Sequence, residues 1–100
     1  MRYELNVNRI ELVEGLKKLS KLVKRKTKGD AILSLDNGVF VVSLDGISVE
    51  SPAEGEFPGL VRIPGVMALT LSKILPADDP LLVAHDQQRL HIGTFSIPCV

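Results

Sequence analysis

The sequence predicts one α+β domain spanning residues 1–100, in the order strand, basic amphipathic helix, several strands, second helix and closing hairpin. Three observations predict it. The apolar period changes from two to that of a helix and back before Ile32. The dipeptides Asn37-Gly38 and Asp45-Gly46 punctuate apolar runs at hairpin spacing. Pro64 then stands in front of a second helical stretch. At 100 residues and 45 % hydrophobic content the chain fills one core and no more. A domain this small has a thin stability margin, so self-association to bury further surface is expected.

Tyr3-Glu4-Leu5-Asn6-Val7 alternates apolar with polar, as a half-buried strand does. Asn8 fits a helix N-cap, and Glu11 three residues later completes a capping box. At 100° per residue Leu12, Leu16, Leu19 and Val23 share one stripe, and Lys17, Lys18, Lys21, Lys24 and Arg25 project from the opposite side. Gly15 costs about 1 kcal/mol against alanine inside a helix, which points to a close packing contact. Lys26-Thr27-Lys28-Gly29 reads as a basic exit with a glycine stop. A meander follows through Ile32–Leu35, Val39–Leu44 and Ile47–Glu50. Ser51 to Gly59, rich in Pro, Gly and Glu, reads as an exposed loop, and Leu60-Val61-Arg62-Ile63 as a short strand. A helix over Gly65 to Leu75 starts behind Pro64, and Pro76-Ala77-Asp78-Asp79-Pro80 stops it. Leu81–His85 and Arg89–Ile92 pair around Asp86-Gln87-Gln88, with Thr94-Phe95-Ser96-Ile97 prolonging the last strand. No linker, low-complexity tract or strong internal repeat is evident.

Twelve basic and twelve acidic residues cancel overall but are segregated. Met1 to Gly29 holds nine Lys/Arg against three Glu, and Asp30 to Val100 holds three against nine acidic residues. This marks either a polyanion partner or two oppositely charged faces that attract one another's copies. The single cysteine, Cys99, excludes an internal disulfide and is expected in a reducing compartment. Met1-Arg2-Tyr3-Glu4 has no apolar run of a signal peptide, and no segment reaches about 18 continuous apolar residues, so a cytoplasmic protein is expected.

Catalytic and metal readings find little support. His85, Asp86 and His91 flank one turn, but zinc needs three or four convergent ligands, and the one cysteine is far along the chain. Cys99 follows Pro98 without a base beside it to activate its sulfur. Asp36, Asp45, Asp78 and Asp79 stand in turns or helix exits, where aspartate serves local hydrogen bonds. No nucleotide-binding glycine loop, zinc-protease helix or calcium loop is present, and neither an enzyme nor a cofactor is expected. The basic helix face is the feature with functional content, because spaced lysines on a rigid element neutralise phosphates without reading sequence. Aromatic residues are limited to Tyr3, Phe40, Phe57 and Phe95, which favours a duplex backbone over stacked single strands.

The order of these elements, with Leu12-Val13 and Leu16 on the first helix, the Leu33–Gly38 turn, Ile63-Pro64, Leu75-Pro76 and the closing Thr94-Phe95-Ser96-Ile97-Pro98, resembles one domain of the DNA polymerase sliding clamps, the bacterial β-clamp above all. The resemblance implies a clamp-like domain, an antiparallel sheet with two helices packed on one face, their exposed sides lining a duplex channel. It directs Lys17, Lys18, Lys21, Lys24, Arg25 and, on the second helix, Lys73 towards phosphates. A closed ring of six such domains would then need six copies of this chain. The resulting expectation is a homo-oligomeric, sequence-neutral, DNA-binding or DNA-encircling protein. The alternative is a protein-interaction or oligomerisation module of the same fold without DNA. It draws on the second helix, where Lys73 is the one basic residue and Val66, Met67, Leu69 and Leu71 leave it apolar on several sides.

Overall fold

The computed structural model describes every residue except 1, 24–28, 76–79 and 94. The basic exit of the first helix, the Pro-Asp stop of the second and Thr94 therefore lie outside the described residues.

Strand β1 (Tyr3–Val7) buries Leu5 and Val7, in step with its alternation. Helix α1 (Arg9–Leu22) starts at Asn8, whose side-chain oxygen accepts the Glu11 N–H at 3.1 Å. Only half of the expected capping box forms. The Asn8 N–H donates to the Pro52 carbonyl at 2.9 Å, so the partner foreseen in the Glu11 side chain is supplied by another strand. Asn8→Ala is expected to lose about 1 kcal/mol, read from the urea midpoint at unchanged slope. Leu12, Leu16, Leu19 and Val23 are buried, as their spacing requires. Gly15 faces β4, where an added Cβ would stand 3.1 Å from the Val49 Cβ.

The meander comprises β2 (Asp30–Asp36), β3 (Val39–Leu44) and β4 (Ile47–Gly55). Asn37-Gly38 and Asp45-Gly46 both hold positive φ at each residue, the geometry of a tight two-residue hairpin turn. The second half contains β5 (Val61–Pro64), α2 (Gly65–Ile74), β6 (Leu81–Asp86), β7 (Arg89–Ile92) and β8 (Phe95–Pro98). Gln87 and Gln88 also take positive φ, so the β6–β7 turn is equally tight although neither residue is glycine or asparagine.

Three expectations are corrected here. The composition from Ser51 predicts a loop, yet β4 continues to Gly55. Ser51 and Ala53 point inward and are buried, so the strand's alternation persists through Pro52. The expected prolongation of β7 as far as Ile97 does not form: Gly93, at φ 59, turns the chain and β8 returns antiparallel, pairing Leu90 with Ile97.

The third correction concerns the fold class. The expected clamp-like layout, an antiparallel sheet with two helices packed on one face, is corrected in its sheet, which closes on itself almost completely. Of the described residues 51 % are in strands and 27 % in helices, and the eight strands curl into one nearly closed, barrel-like sheet. Its order is β5-β2-β3-β4-β1-β6-β7-β8, with every pairing antiparallel. The extra length of β4 is the physical reason. Ala53 pairs with Val7 and Gly55 with Leu5, welding the first meander to β1, whose other edge carries β6. At the far side the Val100 N–H donates to the Arg62 carbonyl at 2.9 Å and draws the last strand towards β5.

The element order also repeats, strand-helix-strand-strand-strand twice over, which the sequence does not betray. The helices lie side by side against the inner side of the curled sheet, α1 across β4 and α2 over β5 and β2. Their apolar faces meet strands of both halves around a small void lined by Leu12, Leu16, Leu33, Phe40, Val42, Leu71, Leu90 and Ile92.

Candidate polyanion interface on the first helix

Because Leu12, Leu16 and Leu19 fix the inward side of α1, helical geometry turns Lys17, Lys18 and Lys21 to the opposite side, and all three are exposed. None of them makes an ion pair with a described residue. Lys17 and Lys21 are one helical turn apart, about 6 Å along the axis. Lys21, in the last turn, also complements the negative end of the helix dipole. Lys24 and Arg25 lie outside the described residues.

Lys73 comes from the other helix yet reaches the same side. With Ser20, Val66, Leu69 and Thr70 it lines a shallow cleft between α1 and α2. The hydroxyls there are already used: Ser20 donates to the Lys17 carbonyl at 3.0 Å and Thr70 to the Val66 carbonyl at 2.8 Å. The Lys73 ammonium is thus the cleft's available charged donor. The apolar surplus of α2 is mostly core, since Ala68, Leu69 and Leu71 are buried, and Val66 is 47 % exposed.

Negative charge collects on the other side of the sheet. Residues 30–61 contain no Lys or Arg and six carboxylates. Strand parity places Asp36, Glu50 and Glu54 on the outer face, away from the helices, and all three are exposed. The first helix and β4 together therefore form two layers with cations on one outside and carboxylates on the other.

The residues near the last hairpin do not assemble into a site. His85 pairs with Leu90 and His91 with Ala84, so the two imidazoles lie on opposite faces of the sheet. This follows from a two-residue turn, a signal present in the sequence once the turn length is set. His85 packs edge-on to Phe57, with ring centroids 6.4 Å apart, and Phe57 in turn meets Phe40 at 5.7 Å. Among the described residues no three His, Cys, Asp or Glu side chains converge as metal ligands. Burial pushes the half-buried Cys99 thiol above its ordinary pKa, an effect that nearby Arg89 partly opposes, so its sulfur stays protonated near neutral pH.

No described helix is long and apolar enough to cross a membrane. No family model, curated protein or solved structure matches the chain.

Proposed function

We propose that the outer face of α1 is a sequence-neutral contact for a nucleic-acid backbone, duplex DNA in the first place, in a reducing, cytoplasmic setting. The observation that carries the reading is the exposure of Lys17, Lys18 and Lys21 on one rigid face without internal ion pairs among the described residues. A helix that needed charge only for solubility would intersperse both signs. Here Glu11 and Glu14 stand in the first turns and nothing acidic follows them on the helix. Lys73 extends the positive field across the interhelical cleft. No aromatic side chain belongs to this face, Phe40 and Phe57 meeting edge to face elsewhere, so bases have nothing to stack on and phosphates are the natural ligand.

Titration of labelled duplexes of unrelated sequence tests the proposal. Affinity is expected to be equal across sequences and to fall with salt, with a log–log slope of about −2.7 from three lysines and about −4.5 if Lys24 and Arg25 also contribute. Replacing Lys17, Lys18 and Lys21 together by glutamate should abolish binding. No binding of the parent near 50 mM salt refutes the proposal.

A further inference from the structure

Among the described residues nothing covers the outer face of the β2–β3–β4 meander, and its composition mirrors that of the helix face. Cross-strand pairs set Val41 beside Glu50 and Val39 between Asp36 and Pro52, so half-exposed valines run along the strip with carboxylates at its border. On the helix side, Leu22 is 66 % and Ile10 58 % exposed, on the face that carries Lys17, Lys18 and Lys21. Apolar centre and charged rim are the ordinary anatomy of a protein interface, and here the two rims have opposite sign.

From this we infer that a second copy of this chain docks on α1 through the outer face of its β3–β4 hairpin. Lys17, Lys18 and Lys21 of one copy meet Asp36, Glu50 and Glu54 of the next, and Leu22 and Ile10 meet Val39 and Val41. The contact joins unlike surfaces, so a row of copies keeps one free basic face at one end and one free acidic face at the other. It also uses the face assigned above to nucleic acid, which makes self-docking and backbone binding mutually exclusive. The inference does not depend on that assignment, since charge and apolar complementarity between the two faces exist whether or not DNA binds.

Charge exchange tests it. Two variants, K17E/K18E/K21E and D36K/E50K/E54K, are purified, shown by circular dichroism to be folded, and followed by sedimentation near 50 mM salt. The parent is expected to associate, and to dissociate as salt rises. Each variant alone should be monomeric, and an equimolar mixture should associate at least tenfold more tightly than either alone. A monomeric parent, variants that still self-associate, or a mixture that stays monomeric each overturns the inference. The sheet variant retains all the α1 lysines, so its duplex affinity is expected to equal or exceed the parent's. Duplex added to a parent that binds it should dissolve the assembly, and a ternary assembly that keeps every copy in place overturns mutual exclusion. A parent that ignores DNA even when diluted to monomers, but passes the mixing test at higher concentration, leaves this inference standing and the DNA reading refuted.

Discussion

Replacing Gly55 by alanine is expected to destabilise the domain by about 3 kcal/mol, the sum of backbone strain and overpacking at one site. Gly55 sits at φ +134, a conformation that side chains rarely adopt, and an added Cβ would meet the Glu4 carbonyl oxygen and the Leu5 Cα. Both obstacles are backbone of the paired strand β1, held in register opposite Gly55 itself, so neither moves without disrupting the β1–β4 ladder. Gly15→Ala is the control. Its new methyl would press the Val49 side chain from 3.1 Å, and a helix gain of about 1 kcal/mol offsets the shift, so near-neutrality is expected. Thermal unfolding of the two variants separates them. Equal loss at both positions contradicts the assigned difference between rigid backbone and yielding side chain.

Leu16→Ala is expected to cost about 3–5 kcal/mol, the range for truncating a leucine that neighbours fail to replace. Leu16 is 1 % exposed and borders a void already present between the helices and β2, β3 and β7, so the lost volume adds to an existing gap. For a domain of this size that is a drop in Tm of about 12–25 °C, a large share of a total stability of about 5–15 kcal/mol. Leu16→Met keeps the volume and should cost less than about 1.5 kcal/mol. A small loss in the alanine variant, measured by denaturant unfolding, contradicts the placement of α1 across both halves of the sheet.

Much of the local structure is legible from residue types because local chemistry decides it. The cap at Asn8, the stripe from Leu12 to Val23 and the turns at Asn37-Gly38 and Asp45-Gly46 rest on neighbours within four positions. The arrangement of the sheet is not legible, because long-range pairing decides it. Ser51-Pro52-Ala53-Glu54 has loop composition, and it becomes strand only because Val7 and Leu5 of β1 present an open edge to it. Glycine at 93 looks compatible with a continuing strand until its turn sends β8 back along β7. Of the candidate site, the cationic side of α1 is readable from helical periodicity. The position of Lys73 beside Ser20 required the packing of the two helices, and the gathering of Asp36, Glu50 and Glu54 on one outer face required the register of β2, β3 and β4.

The position of β1 governs how the chain can acquire its structure. This first strand takes β4 on one side and β6 on the other, with Tyr3 opposite His85 at nearly the full span of the sequence. Neither strand-helix-strand-strand-strand unit is finished by its own residues, since the first lends β1 to the second and the second sets β5 against β2. Contacts of such separation place folding in the slow, millisecond-to-second class of β-rich domains, where loop closure precedes any reward from pairing. During synthesis, at about 5–20 residues per second, β1 waits several seconds for β6 with an edge uncovered. Cooperative formation of the whole sheet follows from that one strand, which joins the two halves only once β6 has been made.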